Sequence, residues 1–290
     1  MKDIRGIILD IDGVIVGEKI GINSPHPHES VIKALRELHT KGVVISLCTA
    51  KPHFAIRQII DDAQLDNLHI TDGGGVIIDP IDNVLVSVHI IDSAIAKKIL
   101  QKYIDANIYV EFYTTQDYCI QRDQTSEITK GHVHILQREP ITLENIVEES
   151  SAYEITKIMP IAKTPEEIEE ITNIFQEFKA NATLSRWVHP IMLPLQFGII
   201  TAPGISKKQG AIDIVTHAKI SRENMLGIGD STSDRQFIQM CKYAASVENG
   251  SQELKELIAA KGEENTFIGP SVDDHGILDI MKHFFNENII

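Results

Sequence analysis

The amino-acid sequence predicts an α/β fold, in which a doubly wound parallel sheet forms a core and an α+β domain is inserted into it. Three nearly continuous apolar runs predict strands buried on both faces of a parallel sheet: Ile4 to Leu9, Val43 to Cys48 and Met225 to Gly229. Helical patterns alternate with these runs, which is typical of a parallel α/β core. The middle of the chain differs, because strand-like stretches there are interleaved with only two helices.

The predicted helices of the core have apolar residues at helical spacing. The first has a stripe formed by Val31, Ile32, Leu35 and Leu38. It ends at Gly42, since glycine commonly follows the last turn of a helix. The second begins after Ser206 and carries Ile212 and Val215.

The predicted insert spans residues 83–195, so that the core comprises residues 1–82 and 196–290. Its expected strands are Val84 to His89, Ile108 to Phe112, His132 to Leu136 and Leu184 to Val188. One expected helix has Ile95, Ile99 and Tyr103 on one face. The other begins at Thr164, where a capping box with proline in the first turn precedes an apolar stripe.

The composition argues against several classes of function. With 27 Lys and Arg against 41 Asp and Glu, the net charge of −14 has the wrong sign for binding nucleic acid or an anionic membrane surface. We find no signal peptide at the start, and no apolar run reaches the roughly 20 residues of a membrane span. The cysteines, Cys48, Cys119 and Cys241, fit neither a disulfide framework nor a thiolate metal site. We therefore predict a cytoplasmic protein with reduced cysteines.

Each of the three apolar runs of the core stops at a polar residue. These residues are Asp10, Thr49 and Asp230. In open parallel sheets, ligands bind at the carboxyl ends of the strands. Three segments that are far apart in the sequence are therefore expected to converge on one site.

Asp10 and Asp12 directly follow the first strand. Desolvating two carboxylates there is costly unless a cation or a hydrogen-bond network compensates, which favours a functional site over a solvated turn. A carboxylate at a strand end can attack phosphorus, and this makes Asp10 the candidate nucleophile. Asp12 can protonate the leaving oxygen and then take a proton from water, if a kink that Gly13 helps to permit turns it toward the site.

Two further acids, Asp230 and Asp234, follow the strand that ends at Gly229. A cluster of oxygen ligands beside a phosphate suits Mg²⁺, so the sequence predicts a magnesium site. Asp234 also has a structural interpretation, as an acid in the first turn of a helix that Ser233 caps. The two interpretations are compatible.

Lys207 lies in the first turn of a predicted helix, where the helix dipole disfavours a cation. A residue that is unfavourable for the helix in which it lies suggests a function. A lysine there can offset the negative charge of the acids and bind phosphoryl oxygens. For Lys208 a solvated surface position is at least as good an interpretation. The Thr49 hydroxyl can donate a hydrogen bond to a phosphoryl oxygen.

Several weaker features have structural interpretations. The histidine pairs at 26 and 28 and at 132 and 134 come with no third ligand, so they do not predict a metal site. The glycine-rich segment 71–75 lacks the Walker lysine and is expected to form a turn near the site. The segment 185–190 of the insert carries the single tryptophan and either contacts a leaving group or has a role in core or hinge packing.

Taken in order, these elements resemble the four motifs of the haloacid dehalogenase superfamily, whose members share a doubly wound core and a cap domain. The resemblance implies that Asp10 is the nucleophile and Asp12 the general acid and base. It further implies that Thr49 and Lys207 are the residues of the second and third motifs. Mg²⁺ would be held by Asp10, the Asp12 carbonyl and the acidic fourth motif, namely Asp230 and Asp234.

The position of the insert resembles that of the Cof-type sugar-phosphatase branch, subfamily IIB. That branch usually has Thr-Gly-Arg where this chain has Thr49, Ala50 and Lys51, and Lys-Gly where it has Lys207 and Lys208. It also has asparagine at the position of Ser233. These departures leave the chemistry intact but make the substrate less certain.

The resemblance implies a phosphatase that hydrolyses a small phosphate ester, a sugar or polyol phosphate, through an aspartyl-phosphate with Mg²⁺. We expect the substrate to contact Thr49, Ala50, Lys51, Lys207 and Ser233. Two alternatives stay open: a phosphomutase or phosphotransferase of the same fold, and a non-catalytic protein that binds a phospho-ligand. Oligomeric state is not predicted.

Overall fold

The protein is described by a computed structural model over residues 2–285. The ends of the predicted core, Met1 and residues 286–290, lie outside the described residues. The strands are β1 Gly6–Leu9, β2 Val44–Leu47, β3 His69–Thr71, β4 Val76–Asp79, β5 Val84–Val88, β6 Tyr109–Tyr113, β7 Tyr118–Gln121, β8 Ile141–Leu143, β9 Lys157–Ala162, β10 Thr183–Trp187, β11 Gln196–Thr201, β12 Met225–Ile228, β13 Tyr243–Val247 and β14 Thr266–Gly269.

The α-helices within the described residues are α1 Glu29–Thr40, α2 His53–Ala63, α3 Ser93–Asp105, α4 Glu127–Leu136, α5 Ile146–Glu149, α6 Pro165–Phe175, α7 Lys207–Ala218, α8 Arg235–Ile238, α9 Gln252–Ala259 and α10 Gly276–Phe285. None of the helices described is both long and apolar enough to cross a bilayer. The three cysteines are buried and free.

A parallel five-stranded sheet in the order β14-β13-β12-β1-β2 forms the centre of the core. Successive residues of β1 face opposite sides of this sheet. Ile7 and Leu9 pack in a cluster with α1, α2 and α10, whereas Ile8 packs with α7, α8 and α9. Helices therefore cover both faces, as the predicted doubly wound fold requires.

The strand order reverses beside β1, because the chain runs from β1 to β2 on one side and returns on the other through β12. A crevice forms at the carboxyl ends of strands at such a switch point. The sheet is extended beyond β2 by an isolated parallel bridge between Cys48 and Ile70 of β3, which pairs in turn with β4 and β5.

The second large sheet has six strands in the order β10-β11-β9-β6-β7-β8. One of its faces packs against α3 and α6, through residues such as Val110 and Phe112. The opposite face, which includes Tyr109 and Tyr113, packs against α4 and against Ala50 of the core. This second face is therefore directed toward the carboxyl ends of the core strands.

The predicted strand from His132 to Leu136 is wrong, because these residues form the last half of α4. A capping box between Ser126 and Thr129 begins this helix, and Gln137 in the left-handed region ends it. The buried positions, which include Ile128, His132 and Ile135, follow helical spacing. The alternation of histidine with apolar residues hid this period.

The division of the chain at residues 83 and 195 stays a prediction. In the structure, β5 pairs with β4 beside the core sheet, and β11 lies inside the six-stranded sheet. On the basis of these pairings, we propose that the inserted cap begins after residue 88 and ends near residue 201. The cap then contains the whole six-stranded sheet.

Candidate active site

Asp10 and Asp230, which follow the first and last predicted core strands, lie side by side, because β1 and β12 are neighbours in the sheet. Gly13 permits their approach. Its φ of +80° lies in the left-handed region, and a Cβ atom there would stand 2.1 Å from Asp230 Oδ2. The Gly13 carbonyl accepts a hydrogen bond from Asn249 Nδ2 at 2.8 Å, which holds this turn against the loop after β13.

Lys207 joins two of the predicted acids. Its Nζ lies 2.9 Å from Asp10 Oδ2 and donates a hydrogen bond to Asp234 Oδ1 at 2.7 Å. The lysine reaches this position from the first turn of α7, which Ser206 caps by accepting from Gln209 N. Burial alone would lower the pKa of Lys207, but the charges of Asp10 and Asp234 raise it, so the ammonium form is held.

Asp234 organises the loop after β12. Its Oδ2 accepts hydrogen bonds from the Asp230 and Ser231 amides and from the Ser231 hydroxyl, each at 3.0 Å. Asp234 is itself the N-cap residue of α8, so Ser233 does not cap this helix. The Ser233 hydroxyl instead lies 2.8 Å from that of Ser231. Asp234 thereby fixes the backbone that carries Asp230.

Three of the predicted metal ligands form a group that could hold a cation. Asp10, Asp230 and Asp234 each offer a carboxylate oxygen, and these oxygens all lie within 4.8 Å of one another. With Lys207 they are called the acid cluster below. Asp12 offers no carboxylate oxygen to this group.

The charges of the acid cluster are not balanced within the protein. Burial and the charge of Asp234 raise the pKa of Asp10 well above its usual value. Burial, Asp234 and Asp10 do the same for Asp230. Lys207 is a single cation against three acids, so a hard divalent cation with oxygen ligands fits this site.

The Asp12 carboxylate contacts one residue of the core, Lys51, and one of the cap, His189. Lys51 Nζ lies 2.7 Å from its Oδ1, and His189 Nε2 lies 3.1 Å from the same atom. All three side chains are buried. Burial alone would raise the pKa of Asp12, but Lys51 and His189 hold it below its usual value.

The other second-motif residues are also buried. The Thr49 hydroxyl accepts a hydrogen bond from Lys51 N at 3.1 Å, which is a local turn contact. The Ala50 carbonyl accepts one from Lys157 Nζ of the cap at 2.8 Å, and the same ammonium lies 3.4 Å from Asp72 Oδ1. Cap and core therefore meet through buried charges at this segment.

Sequence reasoning did not assign His189, Lys157 or Asp72 to the site. The sequence offers a leaving-group contact as one interpretation of the segment around His189. It predicts Asp72 only as part of a glycine-rich turn. For Lys157 a signal was available in the sequence, since this lysine directly precedes the apolar run from Ile158 to Ala162. Lysine is almost never fully buried unless it is paired.

A crevice of about 340 Å³ opens beside the acid cluster. Its core wall contains Asp230, Ser231 and Thr232, and its cap wall contains Pro190 and Leu193. Ser231 and Thr232 bring hydroxyl groups to the core wall of the crevice. The acidic Asp230 lies beside them, and the cap wall opposite is apolar. A small polar ligand can approach Asp230 from this side.

Comparisons with known proteins identify the family of this chain. A family model described as haloacid dehalogenase-like hydrolase matches residues 7–281. The 5-amino-6-(5-phospho-D-ribitylamino)uracil phosphatase YwtE of Bacillus subtilis is 22% identical, over 93% of this chain and 94% of its own length. Phosphatase YwpJ of the same organism is 21% identical, over 96% of this chain and 98% of its own length.

Solved structures share the fold. A haloacid dehalogenase-like hydrolase from B. subtilis superposes with a TM-score of 0.81 at 20% identity, covering 97% of this chain and 100% of that one. A subclass IIB sugar phosphatase superposes with a TM-score of 0.77 at 21% identity, covering 99% and 100%. The family predicted from the four motifs is thus confirmed, and the chain belongs to the haloacid dehalogenase-like hydrolases.

Proposed function

We propose that this chain is a Mg²⁺-dependent phosphomonoester hydrolase that works through an aspartyl-phosphate on Asp10. The observation that carries the proposal is the contact of Lys207 with both Asp10 and Asp234 at the switch point of the sheet. A lysine in that place can bind phosphoryl oxygens while the nucleophile remains a carboxylate. The names of the relatives and the family agree with a phosphatase.

The first chemical step forms the covalent intermediate. A carboxylate oxygen of Asp10 bonds to phosphorus as the bond from phosphorus to the leaving oxygen breaks. Asp12 donates a proton to that oxygen, so the leaving group departs as an alcohol. A bound Mg²⁺, held by Asp10 and Asp230, would offset the negative charge of the phosphoryl group.

The second step regenerates the enzyme. Water attacks the phosphorus of the aspartyl-phosphate while Asp12 accepts its proton, and the bond from phosphorus to Asp10 breaks. Asp12 is a carboxylate at this stage because it has given its proton to the leaving oxygen in the first step, and Lys51 and His189 favour this ionised form. A bound phosphate brings negative charge close to Asp12 and raises that pKa, which favours the protonated form in the first step.

We further propose a sugar or polyol phosphate as the substrate. One relative is named for a ribitylamino phosphate, and one structural neighbour is described as a sugar phosphatase. The lining of the crevice beside Asp230 includes four hydroxyl side chains and one amide among apolar and acidic residues, and these polar groups suit a hydroxylated ligand. A substrate that binds in this crevice would therefore be a small phosphate ester.

The test is a panel of sugar phosphates, polyol phosphates and the substrate named for the relative, each measured with Mg²⁺ and with a chelator. Release of inorganic phosphate with Mg²⁺, and its loss in Asp10→Asn by about 10⁴-fold or more, is the expected result. An isomeric phosphate ester as the product would identify a mutase instead. Turnover without metal, or full activity of Asp10→Asn, would contradict the mechanism.

A further inference from the structure

The cap contains a buried polar network on the face that is directed toward the core. Tyr109, Glu111 and Tyr113 alternate along β6 and therefore share this face. Both tyrosine hydroxyls donate to Glu111, at 3.0 and 2.7 Å. His132 of α4 contacts both carboxylate oxygens through Nδ1, at 2.9 and 2.8 Å. These four residues are called the cap network.

The cap network is costly for a structural feature. The side chains of Glu111 and His132 are 0% and 1% exposed. A buried charged or polar group of this kind contributes little to stability relative to well-packed apolar side chains. The opposite face of the same sheet is built from apolar residues such as Val110 and Phe112. The network therefore calls for a role other than packing.

One atom of the network has no partner. We assign the ring proton of His132 to Nδ1, because the Glu111 carboxylate is an acceptor at that nitrogen, and this leaves Nε2 as an acceptor at the far side of the ring. Nε2 is buried and makes no hydrogen bond among the described residues. The ring itself is held by stacking on Phe197, with centroids 5.3 Å apart. A fixed and unsatisfied polar atom in a buried place costs about 1–3 kcal/mol, so it indicates a missing partner.

The space beside His132 has the size of a single small group. A small cavity of about 10 Å³ lies between cap and core, and its wall includes His132, Lys157, Trp187 and Lys51. This volume is about that needed for one water molecule or one hydroxyl group. Lys51 also contacts Asp12, so the cavity lies next to the carboxylate that we assign to the leaving oxygen.

We propose that His132 is a specificity-determining residue, which hydrogen-bonds a hydroxyl group on the leaving group of the substrate. This inference rests on the proposed function and deepens it. A hydroxyl group matches Nε2 as a donor, and it fits the volume of the cavity. The side chain of Glu111 sets the orientation of the imidazole, so Glu111 is a positioning residue.

The test measures binding, so it does not depend on turnover. In the full-length Asp10→Asn chain with Mg²⁺, calorimetry compares polyol phosphates of three to six carbons with n-alkyl phosphates of the same lengths. At one length at least, the polyol phosphate is expected to bind about tenfold more tightly. His132→Phe keeps the ring and its stacking, and it is expected to abolish this preference.

His134→Phe is the matched control, because His134 lies on the same helix and also has an unpartnered Nε2 but does not line the cavity. The preference should survive in this variant. Should His132→Phe fail to fold, Glu111→Gln releases the imidazole while keeping the side-chain shape, and it should reduce the preference at least about threefold.

Two results would overturn the inference: no preference for polyol phosphates at any length in the parent chain, or a preference that persists in the folded variants. Failure of the proposed function gives a different pattern. In that case the panel of esters would not be hydrolysed, yet the binding preference and its loss in His132→Phe would still be seen. Hydrolysis without any preference would reject only the role of His132.

Discussion

The acid cluster of the core and the cap network solve the problem of buried charge in opposite ways. In the core, Asp10, Asp230 and Asp234 share one lysine, and two of these acids have a raised pKa. In the cap, Glu111 alone receives three donors. The core site therefore keeps an excess of negative charge that an external cation could offset. The cap site is satisfied internally, apart from one nitrogen that is left for a ligand.

This difference separates chemistry from recognition. Groups that act on phosphorus need charges that their neighbours do not fully neutralise, because the reaction changes the charge that these groups face. Groups that recognise a leaving group need a fixed direction instead, and a saturated hydrogen-bond network provides it. Mutations in the acid cluster should thus affect every substrate, whereas mutations in the cap network should affect substrates selectively.

The largest effect is expected for Lys207→Met. The variant leaves Asp10 and Asp234 without their cation and removes a donor for the phosphoryl oxygens. We expect kcat/KM to fall by about 10²–10³-fold for all phosphate esters alike. Lys208→Met is the matched control, since Lys208 is exposed on the same turn of α7, and its kinetics should match the parent chain. Selective loss for polyol phosphates would place Lys207 in recognition instead.

The next effect is expected for Asp12→Asn, and it should depend on the leaving group. For alkyl and polyol phosphates we expect a loss of about 10²-fold, because the leaving oxygen needs a proton. With p-nitrophenyl phosphate that proton is not needed, so the first step persists and the second becomes slow. Rapid-mixing kinetics should show a burst of one nitrophenolate per chain. An equal loss for both ester classes without a burst would contradict the role of Asp12.

The two clusters also differ in how far they can be predicted from sequence. Asp10, Thr49 and Asp230 end apolar runs, and parallel strands place their carboxyl ends at one edge of the sheet, so local pattern is sufficient. Glu111 and His132 are brought together by the packing of α4 on β6, which no local pattern encodes. The sequence pattern also predicts a strand at His132, so the prediction misses the helical face that directs this side chain inward.

Lys51 shows the same limit within the core. Its position next to Thr49 was predicted to contact substrate, and that role stays a prediction. The sequence does not reveal its pairing with Asp12, because the pairing depends on the kink at Gly13 and on burial under the cap. Charge partners across separate segments become visible only when the packing is known.

A smaller effect is expected on stability, and it tests the charge imbalance of the acid cluster. A carboxyl group whose pKa is raised by folding binds its proton more tightly in the folded chain. It destabilises the fold at pH values above the folded-state pKa, and this penalty disappears as the pH falls toward the unfolded value of about 3.9. For Asp10 and Asp230 the penalty is therefore present at neutral pH.

Mg²⁺ should accordingly raise the melting temperature by a few degrees at neutral pH and by less near pH 5, with a free energy of about 2–3 kcal/mol at saturating metal. Thermal denaturation with Mg²⁺ and with a chelator measures this difference. Asp230→Asn should melt higher than the parent chain without metal and lose most of the Mg²⁺ effect. Glu111→Gln should keep it. An increment independent of pH would argue against charge relief.

The smallest effect is expected for His189→Asn, which tests the contact between His189 of the cap and the Asp12 carboxylate. Asparagine can still accept the hydrogen bond from Ile191 N that His189 Nδ1 accepts at 3.3 Å, so the loop before β11 keeps its conformation. Its shorter side chain cannot reach Asp12, but Lys51 remains 2.7 Å from that carboxylate. We expect KM to rise about threefold to tenfold with little change in kcat, since one contact between cap and core is lost.

Steady-state kinetics on one alkyl and one polyol phosphate separate the two possible origins of that change. An equal rise in KM for both esters assigns His189 to the contact between cap and core, as we expect. A rise for the polyol phosphate alone would assign it to recognition together with His132. A fall in kcat as large as that of Asp12→Asn would instead make His189 part of the proton transfer, because the remaining Lys51 would then be unable to support Asp12.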